Sequence, residues 1–169
     1  LYATDLRLRH DGAAGLACTS LAAFRRYQRA SAWTWEHQAL TRARFVAGDA
    51  VVGAAFEATR IDVLRTPRDP AALARDIVAM RQRMHDGHPN RSGLFDVKHD
   101  RGGMVDIEFI VQDLVLGASH AHPALTRNAG NIALLALAAE LGLVAAARAA
   151  AVADAYREYR RVQHARRMA

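Results

Sequence analysis

The organisation of this chain depends on one stretch, residues 95–109, which reads Phe95-Asp96-Val97-Lys98-His99-Asp100-Arg101-Gly102-Gly103-Met104-Val105-Asp106-Ile107-Glu108-Phe109. Its paired glycines permit positive φ angles and close backbone approach, which an ordinary helix linker rarely needs. Lys98 and Arg101 precede the glycines, and Asp106 and Glu108 follow them. Both charge signs therefore lie within reach of one turn, as suits a polyanion carrying a metal ion. The alternative is an interhelix turn whose charges are solvated.

Composition predicts a mainly helical protein. Of the 169 residues, 51% are hydrophobic and 24% are charged, and alanine dominates the last third of the chain. The single Cys18 and the lack of a membrane-length apolar run favour a cytoplasmic protein with no membrane partner. The net charge of +6 suggests an anionic partner. Because the arginines are scattered along helices, this charge alone gives no reason to expect nucleic-acid binding.

Capping residues and apolar periodicity predict seven helices. Their approximate spans are residues 20–30, 32–47, 49–65, 70–85, a segment after Gly103 through Ser119, a segment from Asn128 or Asn131 to Leu141, and residues 144 to the C-terminus. The break at residues 66–70, Thr-Pro-Arg-Asp-Pro, divides the chain into residues 1–66 and 67–169.

The alternation of Leu1–Arg9 predicts a half-buried strand whose polar face carries Asp5, Arg7 and Arg9. A carboxylate beside two guanidinium groups can bind Mg²⁺ while the arginines hold phosphate oxygens, as nucleotidyl transfer requires. The alternative is a surface salt bridge on an edge strand. One aspartate cannot hold a catalytic metal alone, and the first residue is Leu. We therefore expect a fragment of a longer polypeptide.

The second predicted helix carries Trp33 and Trp35, followed by Arg42 and Arg44. A tryptophan can stack on a base and an arginine can reach a phosphate. Side chains two residues apart on a helix point in different directions, however, so core packing is the alternative for at least one tryptophan. The arginines can equally be solvated.

Three stretches, residues 5–16, 32–49 and 95–109, resemble bacterial glutamine synthetase adenylyltransferase, and Leu125-Thr126-Arg127 continues the similarity. The resemblance implies a helical bundle behind the C-terminal remnant of a polymerase-β-like nucleotidyltransferase sheet. Residues 1–66 would be the end of the nucleotidyltransferase domain, and residues 67–169 a helical bundle domain. The motif of residues 33–38, Trp-Thr-Trp-Glu-His-Gln, resembles the C-terminal, adenylylating half of that enzyme.

By this resemblance the enzyme transfers AMP from ATP to a tyrosine of glutamine synthetase, with the PII signal protein as a regulatory partner. Asp5 would be catalytic and would bind Mg²⁺. The nucleotide-binding candidates are Arg7, Arg9, Arg44, Lys98, Asp106 and Glu108. The last three would close over the nucleotide or set the helical domain against the sheet. The alternatives are a non-catalytic helical module that docks on glutamine synthetase or PII, and the adenylyl-removing activity of the same family.

Overall fold

A computed structural model describes residues 18–168, and the regular secondary structure in this range is helical. The helices are α1 (Leu21–Ala30), α2 (Thr34–Leu40), α3 (Ala50–Leu64), α4 (Pro70–Asp86), α5 (Met104–Ala118), a short 3₁₀ helix (Pro123–Thr126), α6 (Asn131–Glu140) and α7 (Ala146–Met168). No strand occurs among these residues, so the mainly α prediction is confirmed for them. The predicted strand Leu1–Arg9, and with it the sheet remnant, lies outside the described residues.

Three helices begin where their capping residues predict. The Ser20 hydroxyl accepts a hydrogen bond from Ala23 N at 3.2 Å and starts α1. The Asp49 carboxylate accepts from Val51 N and Val52 N at the start of α3. Asp69 caps α4, whose first residue is Pro70. Proline suits that position because the first helical N–H groups have no partner within the helix.

The prediction of one helix over residues 32–47 is wrong, because α2 covers only Thr34–Leu40. The helix ends early because α3 competes for the backbone that would continue it. Arg60 of α3 donates to the carbonyl oxygens of Leu40 and Thr41 at 2.9 and 3.4 Å. The Glu57 carboxylate accepts from Phe45 N at 2.9 Å. Tertiary hydrogen bonds thus override the helical periodicity of this segment.

The hydrophobic core is organised around α5, which contacts α2, α4, α6 and α7. Val111, Val115 and Leu116 of this helix are at most 2% exposed. The core is continuous across the predicted boundary near residue 66, since Leu64 and Leu73 belong to the same cluster. The division into two domains stays a prediction. None of the helices in residues 18–168 is long and apolar enough to span a membrane.

Candidate functional site

The two glycines before α5 are required by the backbone of the turn. Gly102 has a φ of +85°, in the left-handed region that favours glycine. Gly103 caps α5 from an extended conformation, and a Cβ there would lie 2.9 Å from the carbonyl oxygens of Val97 and Asp100. Met104 N donates to Val97 O at 2.8 Å. The predicted need for positive φ and close backbone approach is confirmed.

Carboxylates hold the loop that precedes this turn. Asp100 accepts from Asp96 N at 2.8 Å and from the Asn90 side-chain amide at 2.7 Å. Burial opposes ionisation of Asp96, but hydrogen bonds from the Lys98 backbone and from His99 outweigh it and lower the pKa of Asp96. The Lys98 side chain is exposed and has no hydrogen-bond or ion-pair partner within residues 18–168. The loop therefore leaves the Lys98 ammonium group available at its surface.

Asp106, in the first turn of α5, is bound from two sides. One of its oxygens accepts from Arg81 Nε of α4, and the other accepts from Gly102 N at 2.5 Å. The same guanidinium donates to the carbonyl oxygens of His99 and Asp100 at 2.8 and 3.3 Å. Arg81 and Asp106 are 14% and 27% exposed. This pair fixes the glycine turn against α4.

Glu108, two residues later, contacts a different set of helices. One oxygen lies 3.5 Å from Arg42 Nη1, and the other accepts from the Tyr156 hydroxyl of α7 at 3.1 Å. Asn131 of α6 donates to the same hydroxyl at 3.0 Å. Burial, followed by the charge of Glu108, raises the pKa of Tyr156. Glu108 thus links the segment after α2 to α6 and α7.

The predicted site residues that lie within residues 18–168 do not form one cluster. Asp106 pairs with α4, whereas Glu108 faces Arg42 and α7. Arg44 is exposed and has no hydrogen-bond or ion-pair partner in the described part of the chain. Three further candidates, Asp5, Arg7 and Arg9, lie outside the described residues, and their roles stay predictions.

Two arginines that hold this region together were missed from the sequence. Arg81 fixes the glycine turn, and Arg60 ties the end of α2 to the 3₁₀ helix by donating to Thr126 O at 3.0 and 3.1 Å. Arg81 follows Leu73 and Ile77 at four-residue spacing, so it continues a buried apolar face. A cation at such a position predicts a buried partner, and this signal was available in the sequence.

A groove of about 570 Å³ lies between α4 and α5. Its walls are mostly apolar and include Val78 and Ile110, which are 67% and 48% exposed. Asp113 also lines it, and burial raises the pKa of this carboxyl. His85 Nδ1 has no hydrogen-bond partner there. The groove could bind an apolar surface that carries a few polar groups.

Two family models match different parts of the chain. The glutamate-ammonia ligase adenylyltransferase model matches residues 1–59, and the GlnD PII-uridylyltransferase model matches residues 72–169. The second match covers the α4–α7 unit, including the glycine turn and Glu108. Both descriptions name nucleotidyl-transferring enzymes.

Curated relatives match the chain from end to end. The bifunctional glutamine synthetase adenylyltransferase/adenylyl-removing enzymes of Aromatoleum aromaticum and Bordetella bronchiseptica are 58% and 59% identical over 168 residues, which is 99% of this chain. The protein of that name from Nitrosomonas europaea is 58% identical over the same length. The chain spans about 18% of the length of these relatives. It belongs to the bacterial glutamine synthetase adenylyltransferase family.

Proposed function

We propose that this chain is part of the adenylylating half of a bifunctional glutamine synthetase adenylyltransferase. That half would transfer AMP from ATP to a tyrosine of glutamine synthetase in the cytoplasm. The observation that carries the proposal is the identity of 58–59% along 99% of the chain to enzymes of that name. The resemblance of residues 33–38 to the adenylylating half supports this choice over the adenylyl-removing half.

In the proposed reaction the tyrosine hydroxyl oxygen attacks the α-phosphorus of ATP. The new bond joins this oxygen to phosphorus and the hydroxyl proton is released to solvent, while the bond from the α-phosphorus to the oxygen that bridges to the β-phosphate breaks and pyrophosphate leaves. Catalysis of such a transfer consists mainly of positioning and charge neutralisation. Arg42, 62% exposed and held by one 3.5 Å contact, is available to a phosphate, as is the exposed Arg44. Arg7 and Arg9 are the other proposed phosphate contacts.

Residues 18–168 do not fit a divalent metal by themselves, since they contain no group of three or more His, Cys, Asp or Glu side chains that could hold one. Asp5 is the proposed ligand of Mg²⁺ in this chain, and the remaining ligands would come from the rest of the enzyme. When bound, the ion would neutralise charge on the phosphates.

Of the two roles proposed for the residues around the glycine turn, the contacts favour a positioning role for Asp106. Both of its oxygens are occupied, by Arg81 and by Gly102 N. Glu108 holds Arg42 loosely and keeps that cation next to α5. The exposed Lys98 is the residue of this group that is free to contact the nucleotide.

A docking role for part of the chain is the second candidate, and the apolar groove between α4 and α5 favours it. Glutamine synthetase is the proposed protein substrate, and PII is the proposed regulator. A family model named for a PII-uridylyltransferase matches the segment that forms this groove. Docking and catalysis are compatible, but a purely docking chain would tolerate the loss of Asp5.

The test is Asp5→Asn in the full-length enzyme, followed by measurement of AMP incorporation into glutamine synthetase. We expect transfer to be lost while binding of glutamine synthetase is retained. Asp154→Asn is the matched control, because Asp154 is 73% exposed and contacts only Arg157 of its own helix. An unchanged transfer rate in Asp5→Asn would contradict the catalytic assignment and support the docking role.

The adenylyl-removing alternative is tested with the same variants. Adenylylated glutamine synthetase is incubated with inorganic phosphate, and release of the AMP group is measured. We expect Asp5→Asn to leave this release intact, because the removing half would be a separate unit. Selective loss of release, with transfer preserved, would assign the chain to the removing half.

A further inference from the structure

A second cavity, of about 430 Å³, lies among α1, α2 and α3 and meets the site described above at Arg42. This volume is in the range of small-molecule sites, which are mostly apolar with a few polar groups that fix orientation. Aromatic side chains from three helices line it, namely Phe24 of α1, Trp35 of α2 and Phe56 of α3. The cavity therefore offers flat apolar surfaces to a ligand.

The aromatic side chains are arranged as a wall. The ring centroids of Phe24 and Phe56 are 5.6 Å apart, and the ring planes are inclined by 33°. Trp35 is half-buried in the lining, whereas Trp33 is 69% exposed and is not part of it. Planar heterocycles stack on such surfaces, and every nucleobase has a face that can do so.

One polar group in this cavity has no partner. Gln28 is 8% exposed and lines the cavity, and its side-chain oxygen accepts no hydrogen bond within residues 18–168. Its backbone carbonyl accepts from His37 Nε2 at 2.9 Å, which fixes this turn of α1 against α2. A buried amide oxygen without a donor is costly. A ligand with an N–H group would remove that cost.

The lining of the cavity carries two charged side chains of opposite sign, Glu36 and Arg42. Glu36 also lines it, but its carboxylate already accepts from the Tyr27 hydroxyl at 2.9 and 3.0 Å and from Trp33 N at 2.8 Å. Arg42 contributes a cation that is 62% exposed and only 3.5 Å from its partner Glu108. The aromatic wall, the amide and the guanidinium match the base, the exocyclic amine and the phosphates of a nucleotide.

We propose that this cavity binds the adenine ring of ATP, with the Gln28 side-chain oxygen accepting from the exocyclic amine and Arg42 contacting the phosphates. The inference rests on the proposed function, because it assigns the base of that reaction's nucleotide to a place in the fold. Trp35 then provides the stacking surface. Gln28 is the residue that distinguishes a purine carrying the amine from one that lacks it.

The experiment measures equilibrium binding of three probes to the full-length enzyme: a non-hydrolysable ATP analogue, purine riboside triphosphate, which lacks the amine, and tripolyphosphate. In Gln28→Leu we expect the ATP analogue to bind about tenfold more weakly, equivalent to about 1.4 kcal/mol. Binding of purine riboside triphosphate and tripolyphosphate is expected to stay unchanged. The losses in binding free energy from removing the amine of the ligand and from removing the amide of the protein should be non-additive, because each change deletes the same contact.

The tryptophans supply a matched pair of variants. Trp35→Leu should weaken the binding of both nucleotides and leave the binding of tripolyphosphate unchanged. Trp33→Leu should leave the binding of all three probes unchanged. Should Trp35→Leu disturb folding, Trp35→Phe retains a ring and should weaken the nucleotides less. Arg42→Gln should weaken all three probes, since each carries phosphates.

Two results would overturn the proposal. Unchanged binding of the ATP analogue in both Gln28→Leu and Trp35→Leu would mean that the cavity holds no base. Equal weakening of both nucleotides in Gln28→Leu would mean that the amide does not contact the amine. Neither result depends on the Asp5→Asn test. If Asp5→Asn loses AMP transfer but the cavity variants bind the ATP analogue normally, the proposed function is supported and the adenine site is not.

Discussion

Asp106 and Glu108 are two residues apart on α5, carry the same charge and each face one arginine, but their environments differ. The Arg81–Asp106 pair is 14% and 27% exposed, and both side chains make further hydrogen bonds to the backbone. In the Arg42–Glu108 pair the arginine is 62% exposed and the nitrogen–oxygen distance is 3.5 Å. The first pair stabilises a turn, and the second leaves a cation available.

This difference shows how burial decides what an ion pair does. A charge removed from water must have all its hydrogen bonds supplied by the protein, and removing one partner is then costly. A pair at the surface is screened by solvent, and it contributes little to folding. The two carboxylates are equally exposed, at 25% for Glu108 and 27% for Asp106, so the arginines make the difference: the exposed Arg42 can exchange partners with a ligand, whereas Arg81 is held by further hydrogen bonds.

The largest expected effect concerns an arginine that is more buried than Arg81. Arg60 is 1% exposed and donates to the carbonyl oxygens of Leu40, Thr41 and Thr126. Arg60→Met would remove the donor to the Thr41 and Thr126 oxygens, while Leu40 O would keep only its 3.3 Å bond from Ala43 N, so we expect the free energy of unfolding to fall by about 3–5 kcal/mol. Urea denaturation measures it. Arg161→Met on the 72%-exposed Arg161 is the control, and a loss as small as the control's would contradict this account.

Arg81→Met tests how much the Arg81–Asp106 pair contributes to stability. It removes the partner of Asp106 and the donor to His99 O and Asp100 O, so we expect a loss of about 2–3 kcal/mol in unfolding free energy. Hydrogen exchange should also accelerate at Met104 N, which closes the glycine turn. Wild-type exchange at this amide would show that the turn is held without Arg81.

The sequence predicts this architecture well where a local signal exists. Ser20, Asp49 and Pro70 predicted the starts of α1, α3 and α4, and Gly102 and Gly103 predicted the turn. These features depend on residues within a few positions of each other.

The features that prediction missed depend on tertiary contacts. The early end of α2 follows from hydrogen bonds with Arg60, twenty positions away in the chain. The separation of Asp106 from Glu108 follows from the geometry of α5, because residues two apart on a helix point in different directions. The sequence left two roles open for both residues, and the helical period places them on different sides of α5.

The contact between Arg68 and His37 predicts that the stability of the protein depends on pH. His37 Nε2 donates to Gln28 O at 2.9 Å, and Arg68 Nη1 donates to His37 Nδ1 at 3.2 Å. Burial lowers the pKa of His37 from its ordinary 6.5, so the folded state favours the neutral ring. His37 therefore binds a proton more readily in the unfolded chain than in the folded protein. The contribution of the neutral His37 ring to folding stability is present above pH 6.5 and is lost as the pH falls towards the lowered pKa.

The check is unfolding free energy as a function of pH for wild type and His37→Gln. Glutamine can donate to Gln28 O and accept from Arg68 without titrating. As the pH falls below the ordinary histidine pKa, we expect the wild type to lose unfolding free energy relative to the variant. A constant difference would show that His37 does not titrate with folding.

In the Arg42–Glu108 pair, Glu108→Gln should change the pKa of Tyr156 more than it changes the free energy of unfolding. Burial raises the pKa of Tyr156 first, and the Glu108 charge adds to it, so removing the charge should lower that pKa towards its ordinary value. Phenolate absorbance, taken as the difference from Tyr156→Phe, measures it. Glu140→Gln, at an exposed position of α6, should leave the titration unchanged. An unchanged titration in Glu108→Gln would remove the electrostatic link between α5 and α7.

The smallest expected effect is on the Arg42–Glu108 contact itself. A double-mutant cycle with Arg42→Met and Glu108→Gln should give a coupling energy of about 0.5 kcal/mol or less, because solvent screens the exposed guanidinium. The corresponding cycle with Arg81→Met and Asp106→Asn should give a larger value, since that pair is shielded from water. Equal couplings would mean that exposure does not separate the two pairs. In that case Arg42 would be a structural residue, and its proposed contact with phosphate would lose its basis.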